Sequence, residues 1–447
     1  MMKRVIKSLS TLVLSAMFVA NTWATETAVN QILFTNVNVF DGVNEKLKNN
    51  MNVLVEGNLI KSISNKNIPT NKAVTVINGE GKTLMPGLID MHTHLMYSKG
   101  VAVMRTDYDA QASGALAMSV LDRYMKMGYT TVRDVGGNSL GIAKHLKEGN
   151  LKGPRVYSSG GAITAISGHN DLAMYSEKPN QDVFSKRGDA NVITGPIEAR
   201  AAVRTLLRYG ASQIKIMVGG GVASDFDPLH ADTMAEDEIS AIVEAAADFG
   251  TYVCAHAYTD TSVNRVLDAG GRCIEHGFLI TEKTVKRMKK LGAVMSLQPY
   301  AAVEIFKAPE KLAGFGPENI KKGRQVRDGA DNMLKLIAKY KVDTFAGADL
   351  WQDGIIEKTA EDMIIRKRWF SNTEILRQNT SSAARWLAKS GTKNPYKLGS
   401  LGVVKEGAYA DLLLVDGNPV KDVAIVANFE KNIKVIVKDG EFYKNTL

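Results

Sequence analysis

Read for apolar and polar periodicity, the chain shows two textures. Residues 31–83 alternate and turn like short antiparallel strands in ILFTNVNVFDG, MNVLVEGNLIKSIS and AVTVING, with Asp-Gly and Glu-Gly pairs at the tight turns. Residues 399–445 repeat that texture in LGVVKEG, ADLLLVDG and IKVIVKDGEFY. Two all-β segments at opposite ends are most simply the halves of one small domain.

Between them, short β-rich apolar runs recur, each followed by a helical stretch. The runs are LMPGLIDMHTH (84–94), TTVRDVGG (130–137), RVYSSGGAIT (155–164), IKIMVGGG (214–221), YVCAHAYT (252–259), CIEHGFLI (273–280), AVMSLQPY (293–300) and VDTFAGADL (342–350). Helical periodicity is clear in ASGALAMSVLDRYMKMG, EARAAVRTLLRYG and EDEISAIVEAAADFG, each closed by glycine. Eight β/α units predict an α/β fold, a (β/α)8 TIM barrel over 84–395. The small composite β-sandwich domain is expected from 25–83 and 396–447. A doubly wound open sheet fits less well, because no glycine-rich dinucleotide fingerprint follows the first strand.

Residues 1–24 stand apart. Lys3, Arg4 and Lys7 precede a short apolar core over 12–20, and Thr22-Trp23-Ala24 resembles a small-x-small cleavage site. This reads as a cleavable signal peptide with a bacterial periplasm or the exterior as destination. No Cys follows the apolar core, so no membrane anchor is expected after cleavage. The alternative is an amphipathic N-terminal helix of the mature domain.

Composition narrows the picture further. With 45% hydrophobic and 23% charged residues the chain is globular, and two cysteines exclude a disulfide scaffold. Cys254 and Cys273 lie in apolar stretches and are expected as buried thiols. The net charge of +9 loses three positive charges with the leader, and no block of five basic residues appears. Nucleic acid is therefore not an expected partner.

Four of the seven histidines, His92, His94, His256 and His276, fall at the C-terminal ends of predicted strands, the face on which barrels build active sites. His92 and His94 alternate, so both imidazoles point to one side of the strand. Imidazole is the commonest ligand of zinc-like metals. Each alone could equally be a hydrogen-bonded core histidine; the joint placement favours a metal centre. Asp349, in FAGADLW, is a carboxylate after an apolar run, costly to bury unless partnered, with an N-cap as the plainer reading. Lys215 interrupts an apolar parallel strand where an unpaired ammonium should not lie. Beside two divalent cations its neutral amine can be carboxylated by CO2 to a bridging carbamate; the alternative is a lysine that reaches the surface.

MPGLIDMHTHL, TTVRDVGG, IKIMVGGG, HAYTDTSVNRVLDAGGRCIEHG, AGADLW and EGAYADLLLVDGNP resemble the metal-dependent amidohydrolase superfamily. More narrowly they resemble its secreted, prolidase-like branch (Xaa-Pro dipeptidase or imidazolonepropionase-related), from about residue 31 to 440. The resemblance implies two divalent metal ions, with zinc favoured. His92 and His94 would bind the more buried ion, N-carboxylated Lys215 would bridge, and His256 and His276 would bind the second. Asp349 would contact the first ion and the bridging hydroxide, and would shuttle the proton to the leaving nitrogen. His169, in AITAISGHND, and Tyr258 match positions that hold substrate carboxylate and carbonyl in related sequences; Tyr258 could also be a packed barrel-mouth aromatic. His230 and His145 receive no role. GAYADLL departs from the commoner Gly-Lys-x-Ala-Asp, which touches only the sandwich domain.

The implied reaction is hydrolysis of an amide bond in dipeptides or N-acyl amino acids with a free carboxylate, met by His169, Tyr258 and loop arginines. The leaving residue is open: proline, a basic residue or an aromatic one. Alternatives are a cyclic C–N bond hydrolase like imidazolonepropionase, against which Lys215 counts, a hydrolase of xenobiotic or toxin amides, and a non-catalytic binding protein on the same scaffold. The expected partner is a small-molecule or dipeptide substrate, with a homo-oligomer left open.

Overall fold

The computed structural model describes residues 29–105, 109–312 and 314–447, so the leader lies outside the described residues. No described helix is long and apolar enough to cross a membrane.

The barrel strands follow the apolar runs. Leu88–Thr93, Tyr129–Asp134 and Arg155–Ser158 pair in parallel. Ile214–Met217, Val253–Ala257, Cys273–His276, Val294–Leu297 and Asp343–Ala346 continue the parallel order. Strands buried on both faces read as continuous hydrophobic runs, which is why they could be located without alternation. Helices such as Ala110–Lys126, Gly195–Arg208 and Glu236–Asp248 lie between them and bury one face each. The closing glycines Gly128, Gly210 and Gly250 take the left-handed φ that ends a helix.

The third run is not one strand. It breaks at Gly160–Gly161 into Arg155–Ser158, which pairs with the second strand, and Ala162–Ala165, which pairs with the fourth. The break has a steric cause: a side chain at Gly161 would sit 2.2 Å from the carbonyl oxygen of Gly188. An additional short strand, Ala190–Ile193, adds to Ala162–Ala165.

Both chain ends build the β domain, one sheet of eight strands. Gln31–Val39 lies between Lys48–Glu56 and Thr83–Pro86, and Thr83–Pro86 pairs with Leu412–Val415 from the far end of the chain. The expected antiparallel texture holds for Lys48–Glu56 and Leu59–Ser64, whereas Thr75–Asn78 and Thr83–Pro86 pair in parallel with Gln31–Val39. They do so because the chain crosses back after Ser64 instead of turning directly.

Candidate active site

The first barrel strand delivers His92 and His94 side by side, with ring centroids 5.2 Å apart. The eighth reaches them closely: Gly347 packs on His92, where a Cβ would lie 2.5 Å from the His92 Cβ, and only glycine allows that approach. Asp349, three residues past the end of Asp343–Ala346, donates its backbone N–H to the His92 carbonyl. Its carboxylate lies 3.6 Å from His92 Nε2, 3.3 Å from His94 Nε2 and 4.0 Å from His276 Nδ1. Both Asp349 and His276 hold left-handed φ angles, 55° and 73°, a strained choice for non-glycine residues and one that clusters at functional sites.

His256 lies one residue before the end of the fifth strand and His276 ends the sixth, with ring centroids 4.5 Å apart, and the His276 ring is 5.0 Å from that of His92. His92, His276 and Asp349 each offer a ligand atom within 4.8 Å of the others, a group that can hold a metal ion. Burial pushes His92 down to about 4 and holds His256 and His276 well below the usual imidazole range, so these rings are neutral, with a lone pair free. Burial alone would raise the Asp349 carboxyl, but the surrounding histidines prevail and keep it ionised.

Lys215 faces the same space from the fourth strand. It is 1% exposed, and its Nζ has no hydrogen-bond partner among the described residues. The surface-reaching alternative is thereby removed. A buried amine without a partner amid neutral imidazoles is the chemistry expected where a cation or a carbamate belongs, so the donor set fits the implied metals.

His169 and Tyr258 both join the cluster. The His169 ring stacks on His256 at 4.3 Å, and Tyr258 lies 4.7 Å from His256. His169 Nδ1 is held by Asp227 Oδ2 at 3.1 Å and by Ser224. Gly221 makes room: a Cβ there would meet the His169 ring at 2.2 Å. Burial raises the Tyr258 phenol well above its usual value, so it remains an O–H donor. His145 and His230 are exposed.

Two residues of the site escaped the sequence reading. Glu275, fully buried, accepts from His92 Nδ1 at 2.7 Å and from Arg133, itself fully buried, at 2.5 Å. Arg133 also donates to the Met91 carbonyl. A carboxylate engaging Nδ1 leaves Nε2 of His92 free to meet a metal ion, a common support for metal-binding histidines. Glu275 and Arg133 are charged residues inside apolar runs, the same signal that singled out Lys215. Cys254 and Cys273 are free and buried beside them.

His92, His94, His169, Lys215, His256, Tyr258, His276 and Asp349 line a cleft that, with the solvent space at its open mouth, encloses about 990 Å³. The loop arginines expected to meet a substrate carboxylate are not among its described lining residues.

Residues 83–442 match the amidohydrolase family. A solved amidohydrolase is 32% identical, with a TM-score of 0.85, over 94% of this chain and 100% of its own. A solved prolidase complexed with N-methylphosphonate-L-proline is 31% identical, with a TM-score of 0.86, over 93% of this chain and 100% of its own. Ochratoxinase of Aspergillus niger is 28% identical over 384 residues, 81% of this chain and 75% of that protein. With the barrel, the histidine–aspartate group and a family match that spans both domains, the chain belongs to the amidohydrolase family and is a hydrolytic enzyme acting on carbon–nitrogen bonds.

Proposed function

We propose that this enzyme is a binuclear metallohydrolase that cleaves the amide bond of dipeptides or N-acyl amino acids in a bacterial periplasm or outside the cell. The observation that carries the reading is Lys215: a fully buried amine with no partner, facing four histidines and one aspartate. The 31% identical prolidase supports the substrate class.

His92, His94, Asp349 and carboxylated Lys215 would hold one cation, and Lys215, His256 and His276 the other, with zinc suited to so many imidazoles. Such a pair supplies Lewis acidity, which makes water a nucleophile near neutral pH and polarises a carbonyl. The rest falls to the chain. Asp349, ionised and hydrogen-bonded through its own N–H to His92, takes the proton of the attacking water and passes it to the leaving nitrogen, so that an amide and water become an acid and an amine. His169, fixed through Nδ1 by Asp227, turns its other nitrogen to the substrate carboxylate, and the Tyr258 O–H meets the carbonyl.

The test is metal analysis of protein purified without chelator, joined to turnover of a dipeptide and N-acyl amino acid panel. Two zinc per chain and loss of turnover in Lys215→Ala are expected. Metal-free protein with full activity, or an unaffected Lys215→Ala, would overturn the proposal.

A further inference from the structure

The cleft wall narrows the substrate class, an inference that rests on the amide-hydrolase reading above. We infer that the enzyme selects substrates with a bulky, uncharged apolar side group beside the scissile amide, aromatic or branched aliphatic, and rejects basic and acidic ones.

An apolar wall of the cleft comes from the segment that follows the seventh barrel strand. Tyr300–Glu304, Ile305–Lys307 and Pro309–Lys311 are consecutive single turns rather than one helix. They bring Ile305 and Phe306 to the cleft, and Leu312 and Phe315 follow. Trp351 and Ile355 line it from the loop after the eighth strand. The wall is backed by packing. Gly323 of Pro317–Tyr340 lies under Phe306 and Pro309, where a Cβ would be 3.3 Å from each, and the Tyr300 N–H is anchored on Asp362 at 3.0 Å. It is therefore a preformed surface.

Charge is the second half of the argument. Among the described lining residues, Asp349 is the one carboxylate and Lys215 the one lysine, and both belong to the histidine cluster. A guanidinium or ammonium side group would lose its hydration against Phe306, Phe315 and Trp351 with no free counter-charge, and a second carboxylate would meet the same penalty. An apolar group gains contact there, and filling such a pocket is worth roughly 10–200-fold in kcat/KM.

Two dipeptide series on the zinc-loaded full chain test this, Ala-Xaa and Xaa-Ala, with Phe, Leu, Gly, Arg and Asp as the variable residue. In at least one series Phe and Leu should exceed Gly, Arg and Asp by roughly tenfold or more in kcat/KM. Phe315→Ala should lower the Phe-to-Gly ratio in that series. Arg or Asp turned over as well as Phe in both series overturns the inference while leaving the amide-hydrolase reading intact. Calorimetric titration with L-phenylalanine, L-arginine and L-aspartate separates the two claims. Absence of all turnover overturns the function, yet tighter binding of phenylalanine would still support the wall, and binding no tighter than that of the charged amino acids would overturn it.

Discussion

Of the basic side chains that interrupt apolar barrel strands and are almost wholly buried, Arg155 and Lys215 have opposite surroundings. Arg155, where the barrel meets the terminal sheet, is fully engaged. It binds Asp411 at 2.9 and 3.3 Å, also reaches Asp439, and stacks 3.7 Å over Tyr409 and 4.9 Å over Tyr396. Lys215, buried in the active-site cleft, has no hydrogen-bond partner among the described residues. Burial of a charge is costly at both places, so the arginine is repaid by its neighbours in the fold. The lysine feels the charge of Glu275 but has no hydrogen bond from the described residues, and its place is explained by what binds. At Arg155 the buried charge is satisfied by the fold, whereas at Lys215 the amine is left for what binds.

The contrast can be broken by experiment. The largest effect is expected from Lys215→Met: a loss of turnover on the order of 10³-fold or more. Urea denaturation of the metal-free variant should show stability equal to or above wild type, because an unpaired buried amine has gone. Arg155→Met should do the reverse, costing about 3–5 kcal/mol in the same assay by stranding Asp411, with turnover per folded molecule retained. A drop in stability for Lys215→Met, or a dead but stable Arg155→Met, would erase the distinction. Smaller is the effect of Glu275→Gln, expected to weaken zinc binding roughly 10–100-fold in competition with a chelator.

The smallest effect lies in pH dependence, where two buried carboxylates carry opposite signs. Asp411 is buried, which opposes ionisation, but Arg155 and Lys438 hold it below the usual carboxylate range. Its contribution to stability is present above about pH 3.9 and is lost as pH falls through the folded value. Asp134, at the end of Tyr129–Asp134, is pushed up to about 7 by burial despite Ser139 and the Leu95 N–H. Its contribution is full below about pH 3.9 and disappears as pH rises through 7. Both Asp411→Asn and Asp134→Asn carry a neutral amide, so their stability curves should track wild type at low pH. As pH rises, Asp411→Asn should fall below wild type from about pH 3.9, whereas Asp134→Asn should rise above it towards pH 7. Parallel curves would contradict the assignment.

Much of this was legible in the sequence because buried parallel strands are written as uninterrupted apolar runs. A charged or metal-liganding residue at the end of such a run stands out, and His92, His94, Lys215, His256, His276 and Asp349 all did. Glu275 and Arg133 carry the same mark, but their meaning depends on a partner on another strand, which spacing alone does not reveal. The split at Gly160–Gly161 depends on the approach of Gly188, about 28 residues further on, a tertiary contact without local signature. The wall over residues 300–311 has no helical or strand period to read, since it consists of single turns.

The seam between Thr83–Pro86 and Leu412–Val415 has a consequence in time. A chain made from its N-terminus holds the first of these strands long before the second exists, and the whole barrel is synthesised in between. Pairings so distant in sequence form slowly and late. The strand that waits leads directly into Leu88–Thr93 and so into His92 and His94. A ribosome stalled short of residue 412 therefore leaves the catalytic strand without its anchor, however complete the barrel behind it.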